Sequence, residues 1–455
     1  NKILFSVFFL CFFWISFLIS VFLLILWAKI MHSFFLFLLG FFARLIIKIH
    51  KPYVIWVTGT VWKTTMSTNI AKYLQGIFGE NQVQISPYHY NGEYGLPLSV
   101  IGVKSPGKNP FLWVWIFFVA LFRCIRPYPK YLVLEYGIDH IWEMEFLLSI
   151  AIPDIAIVGR VTPNHLEQFW NLETYRKSKL LILEWAKKRI VHESLRPFVP
   201  YDVIYYGSGS MSDIDASHFQ VSLEWVTADI HVYKSTYHLS LPTFWSYQIE
   251  NILPLYAVGH ILSFDLARIS DFSHLFAPEP GRSNILRWVH HSTIVDGSYN
   301  GGFESICRGI DSVVPFLTKH PIFCFLWDMR ELGDESAALH KKLAEYIVDH
   351  IQRDYSVYFF LVWPNMKEFV FPILEKKYTV FHSLSSREMG EKIHKFVSKK
   401  ENYGAIIYVK GSQNTIFLEE GIKKFLLSSA DESLLCRQSS DWMKKKENFF
   451  QSLIK

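Results

Sequence analysis

The stretch "YVIWVTGTVWKTTMSTNIAKYLQGIF" (residues 53–78) constrains this chain more than any other. An apolar run enters Gly-Thr, passes through a short turn to Lys-Thr-Thr, and continues as an amphipathic segment. That pattern predicts a buried strand, a tight loop and a helix, the opening unit of a parallel α/β sheet. The loop has the chemistry of a phosphate cradle. Its backbone N–H groups can close around an anion, and glycine lets the chain turn and the phosphate approach. Lys63 would reach the β- and γ-phosphates and Thr64 would hold Mg²⁺ through its hydroxyl. Gly59, Thr60 and Thr65 complete the candidate nucleotide contacts, and the helix N-terminus adds its positive dipole end. One residue conflicts with this reading. Trp62 stands immediately before the lysine, where such loops have glycine, and an indole there should fill the space the phosphates need.

The following segments extend the α/β pattern. "YLVLEYG" (131–137) and "DIAIVGR" (154–160) read as buried parallel strands, and "TYRKSKLLILEWAKK" (174–188) as a helix. Ligands of such sheets gather at the carboxyl ends of the strands. Glu135 ends a strand and is placed to hold a metal, and His165 follows another strand end. "LPTFWSYQIENILPLYAVGHILSF" (241–264) reads as a turn and a helix. "FAPEPGRSN" (276–284) looks like a connection, after which "STIVDGSYN", "PIFCFLWDM", "VYFFLVW" and "GAIIYVKGS" form a second α/β series. The expected units are an anchor (1–50), a nucleotide-binding domain (51–275) and a C-terminal domain (276–455).

The anchor follows from residues 3–28, which carry no charge and exceed the roughly 20 residues a spanning helix needs. "SFFLFLLGFFARLII" (33–47) is short for a second span and contains Arg44, which suggests a tilted or interfacial helix. Arg44, Lys48 and Lys51 follow the apolar run and predict that the next domain faces the cytoplasm. A second apolar run, "FLWVWIFFVALF" (111–122), is too short to span. It reads equally as a buried helix or as a patch lying on the bilayer. A formal charge of +5 is too mild to argue for nucleic acid. Five scattered cysteines without C-x-x-C spacing argue against a disulfide framework or a zinc site and fit a reducing compartment.

The ordered series "VTGTxxKTT", "NGEYGLPLS", "VLEYG", "PNHLE", "KSKLLILE", "PGR", "DGSYNGGFES", "DMRELGDES", "VKGS" resembles the Mur ligase family over roughly 53–445. It is most similar to the branch that adds D-alanyl-D-alanine to a muramoyl tripeptide. The resemblance implies a P-loop central domain with a mostly parallel sheet and a Rossmann-like C-terminal domain. It also implies an ATP- and Mg²⁺-dependent amide ligase of cell-wall synthesis: a carboxylate becomes an acyl phosphate, and an amine displaces the phosphate. Residue by residue, Lys63 and Thr64 match the loop lysine and the Mg²⁺-binding hydroxyl, and Glu135 and His165 match metal positions. Lys179 matches a lysine that becomes carbamylated and supports the second Mg²⁺. Asn251, Arg282, Asp296 and Asn300 fall at nucleotide-facing positions. Asn91, Lys410, Gly411 and Ser412 match substrate-facing ones. The expected partners are a muramoyl-peptide or lipid-linked precursor, an amino acid or dipeptide, and the cytoplasmic membrane.

Some positions depart from the family pattern. Arg160 replaces asparagine, Tyr247 histidine, Gly297 aspartate and Phe303 proline. About 50 membrane-like residues stand where this branch has a UDP-holding domain, which suggests a lipid-linked or partner-held acceptor. Two further readings compete with the cell-wall ligase. One is a non-catalytic scaffold with the same fold. The other is a membrane-associated ligase of another polymer such as polyglutamate, against which "DGSYN" and "VKGS" count.

Trp62 is one of a set. Of fifteen tryptophans, nine (Trp56, Trp62, Trp142, Trp170, Trp185, Trp245, Trp288, Trp327 and Trp363) fall where the family pattern has glycine. Chance would give roughly one, since glycine occupies about 7% of positions. Independent Gly→Trp drift is physically implausible, because each change adds a large side chain, often where φ is positive or backbones approach closely. The pattern predicts a gene in which UGA is read as glycine, translated here as tryptophan. Trp14, Trp27, Trp113, Trp115 and Trp442 sit in ordinary places for tryptophan, and Trp225 is undecided.

Overall fold

The structure is a computed structural model. It describes residues 33–86, 92–107, 109–138, 143–163, 169, 171–209, 211–243, 245–276, 278–330, 332–352, 355–411 and 417–453. The 3–28 segment and the candidate residues Asn91, His165 and Ser412 lie outside the described residues, as do Trp142 and Trp170.

Two sheets organise the chain. The first contains nine strands in the order β2-β3-β1-β4-β5-β6-β7-β8-β9: β1 Tyr53–Thr58, β2 Val83–Ile85, β3 Tyr131–Tyr136, β4 Ile155–Val158, β5 Lys188–His192, β6 Ile204–Tyr206, β7 Ile214–Val221, β8 Val226–Val232 and β9 Ser235–Leu241. Strands β1 to β6 run parallel, and β7, β8 and β9 close one edge as an antiparallel meander. β1 lies between β3 and β4, and its neighbours are reached by crossovers in opposite directions. The loop after β1 therefore opens at the switch point where ligands of open α/β sheets bind.

Residues alternate between the two faces of this sheet. Ile55, Val57 and Val133 face a core that includes Met66, Ile70 and Leu74 of α2 (Lys63–Phe78). Val54, Trp56, Leu132 and Leu134 face the opposite core. That core is covered by α1 (Ser33–His50), α3 (Gly95–Ile101), α4 (Pro110–Ile125) and α5 (Glu143–Ile150).

The second sheet has six strands in the order β10-β11-β15-β12-β13-β14: β10 Asn284–Arg287, β11 Thr293–Gly297, β12 Ile322–Trp327, β13 Val357–Val362, β14 Thr379–Ser383 and β15 Ile406–Lys410. All pairs are parallel except β10 with β11. Insertion of β15 between β11 and β12 creates a second switch point, where the loops after β11 and β15 meet.

One detail corrects the sequence reading. The single helix expected over 174–188 is instead Leu172–Leu180 followed by a short turn Ile182–Trp185, and Lys188 already begins β5. The run 111–122 is a helix buried on one face only, through Ile116 and Ala120. α4 is helical, but Phe111, Trp115, Phe118 and Phe122 are exposed.

Candidate nucleotide site

The loop after β1 is held from below by the loop after β4. Thr60 N donates to the Arg160 carbonyl at 2.8 Å, and Thr162 N donates to Thr60 Oγ1 at 3.1 Å. Gly59 sits at φ +146°, and a Cβ there would stand 3.2 Å from Gly159 Cα, so only glycine allows the two loops to approach. Thr60 Oγ1 also lies 3.4 Å from the Tyr175 hydroxyl. Lys179, nearly fully buried, holds its ammonium 4.7 Å above the Tyr175 ring one helical turn away. Thr64 and Glu135 are both buried, Thr64 in the first turn of α2 and Glu135 opposite Val57 in the β1–β3 register. A hydroxyl and a carboxylate are the hard oxygen donors that Mg²⁺ prefers. Among the described residues no three histidine, cysteine or carboxylate groups gather as a metal cluster, and His165 lies outside them.

Trp62 closes this loop abnormally. It is the residue before α2 and adopts φ +61°, ψ +9°, the left-handed conformation that glycine supplies at little cost. Its indole stacks on Tyr247 with ring centroids 5.3 Å apart. Tyr247 touches Trp245, and Trp245 touches Tyr408 of β15. An aromatic ladder thus runs from the candidate phosphate loop into the core of the second sheet. Lys63 folds back so that Nζ donates to the Thr60 carbonyl at 3.2 Å. The backbone suits a phosphate, and the side chain at 62 does not.

Other tryptophans of the set carry related marks. Trp363 has φ +90°, in the positive-φ region that favours glycine. Trp56 and Trp327 are fully buried, and neither indole N–H finds a hydrogen-bond partner among the described residues, although buried indole N–H groups usually have one. Trp185, Trp245 and Trp288 carry no such mark: Trp185 is exposed, Trp245 Nε1 donates to the Ser283 carbonyl at 3.0 Å, and Trp288 packs on Phe425.

Three of the departures from the family pattern have specific neighbours. Arg160 pairs with Glu250 at 2.8 Å and with Glu304 at 3.1 Å, joining the end of β4 to the helix Phe303–Val313 that follows β11. His192 Nε2 lies 2.8 Å from the same Glu250 oxygen. Burial pushes the Glu250 carboxyl up, but hydrogen bonds from His192 and Arg160 outweigh it and hold the group down at about 2. Tyr247 places its hydroxyl 2.7 Å from Ser283 Oγ. A Cβ on Gly297 would stand 2.7 Å from Lys410 Cδ, so aspartate could not occupy 297 with Lys410 where it is. The Glu250–Arg160–Glu304 bridge was not visible in the sequence, because its members are distant along the chain. The Tyr175–Lys179 spacing of four on a helix was a usable signal that was missed.

At the second switch point, Lys410 lies opposite Gly297 and is nearly fully buried. Burial lowers its ammonium pKa, Arg282 lowers it further and Asp296 opposes them, leaving it at about 8. Asp296 is fully buried, its Oδ2 has no hydrogen-bond partner among the described residues, and burial raises its carboxyl. A Cβ on Gly301 would meet the Gly411 backbone at 2.7 Å, so the β11 and β15 loops touch. Arg282 lies over the Tyr299 ring at 4.2 Å, and Asn300 Oδ1 accepts from Gly301 N. Asn251 Nδ2 donates to Gln248 Oε1 at 3.0 Å.

Residues 57–259 match the description of the Mur ligase middle domain. Over that segment the chain is similar to the Mur ligase family. The Mur ligase fold extends through the second sheet: the solved MurF ligase from Thermotoga maritima in complex with ADP superposes with a TM-score of 0.70 at 23% identity, covering 86% of this chain and 83% of that one. The UDP-N-acetylmuramoyl-tripeptide–D-alanyl-D-alanine ligase of Haemophilus influenzae is 22% identical over 307 residues, 65% of this chain and 62% of that protein. The corresponding Rickettsia prowazekii ligase is 22% identical over 305 residues, 62% and 64% of the two chains. The chain thus spans under two thirds of the length of these curated relatives.

Proposed function

We propose that this Mur ligase homologue is an ATP- and Mg²⁺-dependent amide ligase of peptidoglycan-precursor synthesis, adding D-alanyl-D-alanine to a muramoyl peptide. We propose domain limits of 1–50, 51–275 and 276–455, with residues 1–50 anchoring the chain at the cytoplasmic face of the membrane and glycine in place of Trp62 in the living protein. The observation that carries the reading is the loop Gly59–Thr65 at the sheet's switch point, with the buried Glu135 carboxylate on the neighbouring strand.

Lys63 and the loop amides would hold the phosphates, with Thr64, Glu135 and His165 toward Mg²⁺ and Lys179 supporting a second ion. Asn251, Arg282, Asp296 and Asn300 would face the nucleotide. Asn91, Lys410, Gly411 and Ser412 would face the incoming substrates. Mg²⁺ supplies neutralisation of the phosphoryl charge. The acceptor carboxylate oxygen attacks the γ-phosphorus as ADP leaves. The dipeptide amine then attacks the acyl carbon, expelling phosphate and losing a proton. The apolar N-terminal region favours an acceptor that is lipid-linked or presented at the membrane.

The direct test is ADP release by the Trp62→Gly protein with a UDP-linked muramoyl tripeptide and D-alanyl-D-alanine. Release that requires both substrates is expected. No ADP release, or failure to bind ATP, favours the scaffold. Glutamate-dependent release favours the polyglutamate reading. Normal saturation by the soluble UDP-linked acceptor in an anchor-free protein counts against a lipid-linked one.

A further inference from the structure

α1 and α4 lie side by side, with Phe35 against Trp113 and Phe117 at 5.0 and 5.2 Å, Phe42 against Phe117 at 5.6 Å, and His50 Nε2 2.9 Å from the Arg123 carbonyl. Contacts advance together along both helices, so they run parallel and their N-terminal ends lie at the same side. Their inner faces are fixed to the first sheet: Leu39, Ala43 and Ile46 of α1 and Ile116 and Ala120 of α4 share one core with Val54 and Leu132.

Their outer faces are apolar and open. On α4, Phe111, Trp115, Phe118, Phe122 and Ile125 recur at helical spacing, from 51% to 84% exposed. On α1, Phe34, Phe37 and Phe41 do the same, at 47% to 58%. Monomeric soluble proteins rarely leave so continuous an apolar patch. Cations follow the apolar stripes at the C-terminal end of both helices: Arg44, Lys48 and Lys51 on one side and Arg126 on the other, while Arg123 turns inward to the Ile101 carbonyl and Lys130 lies over Phe78 on the far face of the sheet. Arg126 covers the Phe122 ring at 4.7 Å, the posture of a side chain whose stem lies on apolar surface and whose head stays in water.

We propose that the paired outer faces of α1 and α4 form a membrane-docking surface whose occupant is an anionic lipid bilayer. Aromatic side chains enter the acyl boundary, and the cationic ends meet the headgroups. Three observations select lipid over a protein partner. The uncharged run 3–28 closely precedes α1 in the sequence, so the patch begins just after an apolar segment of membrane-spanning length. The patch ends in cations on both helices at the same level. It also carries no acidic residue on either exposed helical face. Because the inner faces are fixed to β1 and β3, docking holds the nucleotide loop at a set height and tilt above the bilayer. This inference does not depend on the ligase reading.

The test uses the full chain with a nitroxide at Trp115→Cys, on a background with Cys11 and Cys124 replaced by serine. It is reconstituted in vesicles of phosphatidylcholine and phosphatidylglycerol, and a second label at the exposed Met211→Cys serves as the aqueous reference. Docking predicts that the label at 115 is relaxed by oxygen and shielded from an aqueous nickel chelate, with the opposite at 211. Adding Phe111→Asp and Phe118→Asp should raise nickel access at 115 by about tenfold while the chain stays vesicle-bound. Equal nickel access at 115 and 211 overturns the proposal. Shielding that grows with protein concentration, with disulfide cross-linking through residue 115, shows a second copy and overturns it as well. A melting transition unchanged by the aspartates excludes misfolding as the cause of renewed access.

Discussion

Replacing Trp62 with glycine separates two quantities that usually move together. A non-glycine residue in the left-handed region costs about 1–2 kcal/mol, which Trp62→Gly relieves. The same change removes the stack on Tyr247, which contributes about 0.5–1.5 kcal/mol beyond burial. These effects oppose each other, so Tm should move by no more than about 4 °C. Nucleotide binding should change far more. With the indole gone, the phosphates can approach the loop amides and Lys63 can leave the Thr60 carbonyl. Two recovered charge-assisted hydrogen bonds of about 1.5–3 kcal/mol each correspond to at least about a hundredfold in affinity. Calorimetric titration of the two proteins with Mg-ATP checks this. A Trp62→Gly protein that binds no more tightly than the parent shows that the loop was not obstructed, and the argument from φ and stacking fails. The gene gives a second check: UGA is expected at the nine positions and UGG at 14, 27, 113, 115 and 442.

The four marked tryptophans can be changed together. If Trp56 and Trp327 were true core residues, losing them would cost about 3–5 kcal/mol each or more, and the protein with Trp56, Trp62, Trp327 and Trp363 all replaced by glycine would unfold. The glycine reading expects a cooperative melt at least as high as the parent's, and an unfolded product by circular dichroism refutes it. Lys410 has a folded pKa of about 8, below its unfolded value, so the unfolded chain binds the extra proton between pH 8 and about 10.4 and stability from this group rises across that window. Tm measured from pH 7.5 to about 10 should show that rise, and Lys410→Met should flatten it. Arg160→Asn restores the family residue but strips Glu250 of a partner, and it should cost about 2–4 kcal/mol in urea unfolding. It should also shift the acid limb upward, since the stabilisation from the depressed Glu250 carboxyl, present above its ordinary value of 4.5, is lost as pH falls toward about 2. An unchanged midpoint would show that the bridge contributes nothing.

The local pattern of the chain already contained the candidate phosphate loop, both α/β series and the strand ends bearing Glu135 and Lys410. These are legible because strand burial, helix amphipathicity and turn chemistry are written in residues close together in sequence. The tryptophan anomaly was also visible there, as a set of bulky residues at glycine positions. Tertiary structure decided the rest. It showed which of those tryptophans strain the backbone or bury an unsatisfied N–H, since φ and hydrogen bonding depend on neighbours distant in sequence. It joined Arg160, Glu250 and Glu304, residues from three separate segments whose pairing no local pattern encodes. It also resolved the apolar run at 111–122, because hydrophobicity alone cannot say whether a helix turns its second face to a core or to the outside. Packing against β1 and β3 uses one face of α4, and the other is left open.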